Sequence, residues 1–233
     1  MEEGESYDYL LDLDAKVLEF DDSFCCHIPK KYVKIMKKHN INKLIFGNQY
    51  DFCPEIPSFI TKVKFRGGSN ININNLPDTI EELKLGYNFN QPVEKLPTNL
   101  KYLKFGKKFN QPVDNLPILL NTLIFGEDFN QPVDNLPINL ENLIFENKIS
   151  SKFNQQIDNL PPNLKKLKLS TKFNHSIDNI PDSIEELIIR NSGFDREIKK
   201  LPENLKKIDF PKSYKISDYL NKLIQDRGNI CII

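Results

Sequence analysis

The chain has 233 residues, of which 39% are hydrophobic and 27% are charged, which is typical of a folded protein and too apolar for a disordered one. Its 32 basic residues balance its 32 acidic residues, so the overall charge does not favour nucleic acid or an anionic membrane surface as a partner. The acidic start, MEEGESYDYLLDLD, is unlike a secretory signal peptide, and no apolar run is long enough to span a bilayer.

The four cysteines predict neither a disulfide framework nor a metal site. Cys25 and Cys26 are adjacent, which makes them poor ligands for one tetrahedral zinc ion, and Cys53 and Cys231 lie far from them. Cys25 is expected to fill a core position near the end of the fold. Reduced thiols without a signal peptide favour a cytosol-like compartment.

The amino-terminal region predicts a strand, a short helix and a further strand. Leu18 and Phe20 alternate as on a strand with one buried face. Pro29 stands at a plausible first helical position, and Tyr32 and Met36 follow at helical spacing. This helix is expected to pack against the first strands and cover one end of the fold.

A 20-residue repeat dominates the rest of the sequence. The dipeptide Leu-Pro recurs every 20 residues from Leu76 to Leu136, and returns at Leu160 after a four-residue insertion. Related pairs follow at Ile180 and Leu201. Two neighbouring copies, LPTNLKYLKFGKKFNQPVDN and LPILLNTLIFGEDFNQPVDN, agree at apolar, proline, glycine and asparagine positions together. A fixed period of this length is the signature of a repeat solenoid.

Each copy predicts one short strand and an irregular return. Counted from Leu96, apolar residues occupy positions 1, 5, 8, 10, 14 and 18, and the alternation at 8 and 10 is typical of a strand. The glycine and the Gln-Pro-Val-Asp-Asn segment that follow favour turns, and two prolines per copy exclude a helix. Stacked copies therefore predict a parallel β-sheet of about ten short strands with an irregular convex side. The residues at position 8 are Leu18, Leu44, Val63, Leu83, Leu103, Leu123, Leu143, Leu167, Leu187 and Ile208.

A second short helix is expected to cap the other end. Ser217 and Asp218 are good amino-terminal capping residues for a helix from Tyr219 to Asp226, and Gly228 stands where a helix-ending glycine belongs. The sequence assigns no structure to the tail that begins at Cys231. The predicted organisation is a capping region with degenerate repeats over residues 1–55, repeats over 56–211, and a capping helix with its tail over 212–233.

The repeat resembles a known family. The segments Phe109–Pro117 and Phe129–Pro137 both read FNQPVDNLP, and looser versions begin at Phe89, Phe153 and Phe173. This pattern is similar to the FNIP repeat family of social amoebae and giant viruses, which is regarded as leucine-rich-repeat-like. The resemblance covers about residues 70–202 and implies a leucine-rich-repeat-like recognition module in the cytoplasm, or in the host cytoplasm if the source is a virus. Viral members often carry an F-box before the repeats, and a substrate-recognition adaptor linked to ubiquitination is the function that such an F-box implies. The segment before the repeats here is short, reads as strand, helix and strand, and shows no F-box helices.

Two polar columns recur in register with the repeat. Asn110 represents the asparagines that follow each phenylalanine, and they are expected to bond the backbone of adjacent coils rather than a ligand. Asp114 represents the aspartates, which are expected to cap turn backbone, since the loops lack the glycine and acidic pattern of calcium-binding solenoids. His175 replaces the glutamine of the repeat. No triad, phosphate-binding loop or carboxylate pair is present, so the sequence predicts no enzyme, no cofactor and no metal site.

The open face of the sheet is the predicted partner-binding surface, because residues between core positions point away from the core. This face combines a basic first half with isoleucines further along, which is the composition of an interface core, although β-branched residues there also suit strand propensity alone. The predicted site residues are Lys64, Lys84, Tyr102, Lys104, Thr122, Ile124, Asn142, Ile144, Lys168 and Ile188.

Two functional hypotheses follow from this surface. The first is a protein-binding adaptor that uses the open face. The second is a structural solenoid that forms a homo-oligomer through an exposed end or the same apolar residues. Nucleic-acid binding through the lysines is a weaker third hypothesis, and a membrane partner is not expected.

Overall fold

The computed structural model describes residues 9–21, 27–47, 53–68, 70–146 and 148–232. Within these ranges one sheet of twelve strands follows the order of the chain, with β1 antiparallel to β2 and every later pair parallel. The strands are β1 (Tyr9–Asp12), β2 (Val17–Phe20), β3 (Lys43–Phe46), β4 (Lys62–Phe65), β5 (Glu82–Lys84), β6 (Tyr102–Lys104), β7 (Thr122–Phe125), β8 (Asn142–Phe145), β9 (Lys166–Lys168), β10 (Glu186–Ile188), β11 (Lys207–Asp209) and β12 (Cys231–Ile232). The helices are α1 (Lys30–Lys38) and α2 (Asp218–Arg227).

The register of the sheet confirms the predicted solenoid. Leu103, Leu123 and Leu143 are direct partners on β6, β7 and β8, and all three are fully buried. One strand per 20-residue repeat therefore returns to the same place in every coil, as the period predicts. The three predicted segments share this one sheet, and their boundaries stay a prediction.

Two columns of phenylalanine fill the core behind the sheet. Phe105, Phe125 and Phe145 stack with ring centroids 5.6 and 5.4 Å apart, and Phe125 also lies 3.7 Å from Phe129 within its own repeat. The second column continues from Phe129 to Phe109 at 6.0 Å. Nearly parallel stacked rings add a specific attraction to the burial of their area. The rings from Phe89 to Phe194 therefore form one continuous stack, and a shorter stack from Phe20 to Phe65 lies nearer the amino terminus, with Leu85 at the corresponding core position between them.

The glycine after the strand is required for a reason that the sequence analysis did not give. A Cβ on Gly106 would lie 1.9 Å from the carbonyl oxygen of Gly86, and one on Gly126 would lie 2.1 Å from that of Gly106. The described glycines with positive φ are Gly67 and Gly228. Gly86, Gly106 and Gly126 are therefore not there for a left-handed turn. They let the backbones of successive coils approach closely.

The amino-terminal end is capped by a hairpin that the sequence did not predict. β1 folds back on β2, with Lys16 at φ 56° in the connection. The helix α1 begins one residue after Pro29 and buries Tyr32 and Met36, as its spacing predicts. The Tyr32 ring lies 4.9 Å from Tyr9 and 5.7 Å from Phe20, edge to face in both cases. Tyr32 thus closes the amino-terminal end of the shorter stack that runs from Phe20 to Phe65.

The carboxy-terminal cap confirms the predicted helix signals. The Ser217 hydroxyl accepts a hydrogen bond from the Leu220 amide at 3.2 Å, and Gly228 ends α2 in the left-handed conformation at φ 64°. The Arg227 guanidinium donates to the carbonyl oxygens of Leu201 and Pro202, which ties the helix to the last full repeat. The tail that the sequence left unassigned becomes β12, which pairs with β11 through Cys231 and Ile232.

Candidate protein-binding face

The ten predicted site residues lie on one face of the sheet. The register aligns Lys64, Lys84 and Lys104 with the isoleucines of β7 and β8, and the neighbouring column aligns Tyr102 with Thr122 and Asn142. Lys168 and Ile188 continue the first column on β9 and β10. Nine of the ten are half-buried, whereas Ile188 is only 9% exposed and so belongs more to the protein interior than predicted.

The predicted basic half of this face is partly neutralised. The Lys84 Nζ lies 2.6 Å from a carboxylate oxygen of Glu82, and the Lys104 Nζ lies 2.7 Å from one of Glu146. Lys64 has no ion pair within the described residues, and its pKa is lowered by burial and by the neighbouring charges of Arg66 and Lys84. The basic character predicted for this half is therefore reduced by the carboxylates and is kept at Lys64.

The ion pair between Lys104 and Glu146 reaches across a whole strand. Lys104 ends β6, and Glu146 directly follows β8, so the pair passes over β7 beside Ile124. On the same face, the Lys84 ammonium lies 5.0 Å from the centroid of the Tyr102 ring. These contacts hold long side chains in place around the isoleucines, which lowers the entropy that they would lose on binding.

An apolar centre lies between these polar groups. Ile124 and Ile144 are direct partners on β7 and β8, and both are half-buried rather than covered. Beside them, the Asn142 amide donates to the Thr122 hydroxyl at 3.2 Å. The face thus presents two adjacent isoleucines bordered by fixed polar side chains, which is the arrangement of an interface core and its rim.

The asparagine column has the structural role that the sequence predicts. The side-chain oxygen of Asn90 accepts from the Asn110 backbone amide at 2.9 Å, and that of Asn110 accepts from the Asn130 amide at 2.8 Å. The His175 Nε2 lies 3.0 Å from the Asn154 carbonyl oxygen, so it carries the proton, in the place that glutamine takes in other repeats. These groups satisfy the irregular backbone and are not free for a ligand.

The aspartate column has different partners from those predicted. Asp114 Oδ1 accepts from the Asn135 side-chain amide at 3.0 Å, and Asp178 Oδ1 accepts from the Lys199 backbone amide at 2.8 Å. Both contacts join one coil to the next instead of capping the aspartate's own turn. Each amide or backbone donor also compensates the repulsion between neighbouring carboxylates.

A buried acidic pair is held between two basic coils beside the insertion. Glu127 is 4% exposed and lies 3.0 Å from the Lys107 Nζ and 2.9 Å from the Lys148 Nζ, and it also accepts from the Ser150 hydroxyl. Asp128 lies 2.9 Å from the Lys152 Nζ. The Ser150 and Lys148 hydrogen bonds outweigh the effect of burial and lower the pKa of Glu127 to about 2.

The Glu127 cluster predicts acid sensitivity. Because the folded-state pKa lies below the ordinary value of 4.5, its stabilisation is complete above that value and is lost as the pH falls towards about 2. In urea unfolding between about pH 6 and pH 2, we expect the difference in free energy of unfolding between the wild type and Glu127→Gln to stay constant down to about pH 5 and then to shrink as the pH falls further. Glu203→Gln, at an exposed site, is the control. A gap that does not change with pH would contradict this role.

The remaining candidate groups are cysteines, of which Cys53 and Cys231 lie in the described residues. Cys25 and Cys26 lie outside the described residues, and burial raises the pKa of the Cys53 thiol to about 12, which keeps it protonated. Among the described residues no cluster of three or more His, Cys, Asp or Glu side chains could hold a metal ion. In the same ranges no helix has the length and apolar character needed to cross a membrane.

An exposed apolar patch that was not predicted from the sequence lies on the turn side of the coils. Ile118 and Ile138 are 57% and 53% exposed, and Leu119 lies beside them at the edge of a polar groove of about 530 Å³. Most other repeats carry a polar residue at the third position, as Asp78 and Thr98 do. The apolar residues Ile118 and Ile138 at this otherwise polar position were the signal in the sequence that would have identified the patch.

The geometry defines a leucine-rich-repeat-like solenoid, and comparison with known proteins agrees. The FNIP repeat model matches residues 69–108, 89–128, 109–148 and 153–192, so the chain belongs to the FNIP repeat family. A solved structure described as CroV588, a novel circular leucine-rich-repeat protein, is similar at 25% sequence identity with a TM-score of 0.57. The match covers 91% of this chain and 43% of the chain in the solved structure. This chain therefore spans less than half of the length of that protein. No curated protein matches the sequence.

Proposed function

We propose that the chain is a non-catalytic module that binds a protein partner on the open face of its sheet. The observation that carries this proposal is the pair Ile124 and Ile144, two half-buried isoleucines in register at the centre of a face on which Lys84 and Lys104 are held by ion pairs. Repeat solenoids commonly use such an extended face for recognition. The family membership supports the same class of function.

The ion pairs of two lysines on this face favour a protein over nucleic acid. Phosphate binding needs cations that are free to replace counterions, and Lys84 and Lys104 already have carboxylate partners, which leaves Lys64 and Lys168 as the site lysines without an ion pair in the described residues. A cytoplasmic location, in the host if the source is a virus, and a substrate-recognition role linked to ubiquitination remain parts of the proposal that come from the family resemblance. Both are tested by the identity of the captured partner.

The double variant Ile124→Glu, Ile144→Glu is expected to fold but to lose partner binding. Two carboxylates at the centre of an interface would have to be desolvated without a partner, and hot-spot positions of this kind typically cost more than about 2 kcal/mol when changed. The partner is first identified by affinity capture and mass spectrometry, and its affinity for the purified chain is then measured by titration calorimetry.

The matched control is Ile118→Glu, Ile138→Glu, which places the same charges on the turn side, where both isoleucines are more than half exposed. Circular dichroism checks that both variants fold. Retained affinity in the open-face variant would exclude this surface. Loss in the control alone would move the site to the turn side.

A further inference from the structure

The open face of the sheet carries more positive than negative charge, although the chain as a whole is neutral. Counted over the twelve described strands, the residues that the register places on this face include eight lysines and five acidic residues. The acidic ones are Asp12, Glu19, Glu82, Glu186 and Asp209. The next outward row, two residues further along the chain, adds two residues of each sign and leaves the surplus unchanged: Arg66 and Arg190, Asp21 and Glu146. Such a surface attracts a partner of the opposite charge.

The surplus positive charge lies on three lysines. Each of the four carboxylates on the parallel strands forms an ion pair within the described residues. The fifth, on β1, accepts a backbone hydrogen bond at 2.9 Å. In the same ranges Lys43, Lys64 and Lys168 have no ion pair. These three lysines are therefore the cations on this face that a partner can neutralise.

Two of these lysines flank the isoleucine pair. Lys168 is the direct partner of Ile144 on one side and of Ile188 on the other, so it interrupts a row of isoleucines with an unpaired charge. Lys64 lies three strands before Ile124, which is about 14 Å at the spacing of parallel strands. Burial and neighbouring positive charges lower the pKa of Lys64, and a carboxylate brought close to it would oppose both effects.

We propose that the protein partner binds through an acidic segment, with apolar side chains on Ile124 and Ile144 and carboxylates against Lys64 and Lys168. This inference rests on the proposed function, whose face it uses, and it adds the chemistry of the partner. The two lysines lie five strands apart, about 24 Å, which an extended chain covers with about seven residues. A short acidic stretch around an apolar centre is therefore long enough to reach both.

The apolar centre selects a protein segment over nucleic acid. Both would supply negative charge, but phosphates gain nothing from the pair Ile124 and Ile144, and bases bind best on aromatic rings. Among the described strand residues on this face the one aromatic ring is that of Tyr102, and the Lys84 ammonium already lies 5.0 Å from its centroid. Aliphatic side chains between carboxylates match the face better.

Selection from a library of random peptides tests the chemistry of the partner. Peptides of about twelve residues, long enough for the span between the two lysines, are displayed on phage and selected on the immobilised full chain. The enriched sequences are expected to carry aspartate or glutamate on both sides of an aliphatic or aromatic residue. Their dissociation constants are then measured by fluorescence anisotropy.

The double variant Lys64→Gln, Lys168→Gln is expected to weaken binding of the enriched peptides about tenfold and to make it less sensitive to salt, because two attractions between opposite charges are lost. The control Lys95→Glu, Lys222→Glu changes two exposed lysines off this face that also lack ion pairs in the described residues. It lowers the net charge further but is expected to leave the affinity within about twofold. Circular dichroism checks that both variants fold.

Enriched peptides that have an apolar centre but no acidic residues, and that Ile124→Glu, Ile144→Glu no longer binds, would overturn this inference and keep the proposed face. Peptides that bind the isoleucine variant as tightly as the wild type would overturn both. The acidic segment is also excluded by a lack of enriched peptides or by equal weakening in the control. Tighter binding of a single-stranded oligothymidine than of the selected peptides would exclude it as well.

Discussion

The variant Phe125→Ala is expected to lower the free energy of unfolding by about 3–5 kcal/mol, the range for losing a fully buried phenylalanine. Phe125 is completely buried and stacks against Phe105, Phe129 and Phe145, so its removal interrupts one aromatic column and removes its contact with the other. A cavity between two coils cannot collapse easily, because the backbone spacing of the sheet is fixed.

Urea unfolding followed by circular dichroism measures this loss. Leu119→Ala is the control, since its exposed side chain is expected to contribute less than about 0.5 kcal/mol. A loss for Phe125→Ala no larger than that of the control would show that the aromatic stack is not the main stabilising feature.

A single methyl group at Gly106 is expected to destabilise the fold nearly as strongly, by about 1–3 kcal/mol or more. The new Cβ would meet the Gly86 carbonyl oxygen at 1.9 Å, and that atom belongs to the backbone and has no other rotamer. Two coils must therefore separate on one side, which disturbs the stacking of Phe105 as well as the local turn.

Gly193→Ala is the matched control, because the nearest atom to its added Cβ is a side-chain oxygen of Asn191 at 3.5 Å. Thermal unfolding of the two variants by calorimetry makes the comparison. Equal melting temperatures would mean that the coils tolerate a wider spacing at Gly106.

The period of the sequence was enough to predict the solenoid, since it states directly which residues become neighbours. Leu103 and Leu123 had to be adjacent once the 20-residue spacing was read as one coil, and the structure confirms that pair. β1 was not predictable in this way, because it lies outside the repeat and is antiparallel. The two residues of β12 are too few to show a pattern of their own.

The candidate face was predictable in its composition but not in its charge. The alternation on each strand identified Ile124 and Ile144 as outward residues, and the register agrees. The pairing of Lys104 with Glu146 joins residues two coils apart and depends on side-chain reach, which spacing alone does not give. The glycine contacts were missed for a similar reason, because backbone distance between coils is a property of the folded array.

The acidic pair between basic coils makes two almost identical repeats non-interchangeable. The copies that begin at Leu96 and Leu116 share their core residues, yet one carries Lys107 and Lys108 where the other carries Glu127 and Asp128. Exchanging their order would set lysine against Lys148 and Lys152 and lose the attractions to those two residues, while a carboxylate would still face a lysine between the two exchanged copies. The hydrophobic core alone would let duplication and unequal recombination lengthen such an array freely. The charge pattern fixes the order of these two copies, so arrays with another order would be selected against even where their hydrophobic sequence is unchanged.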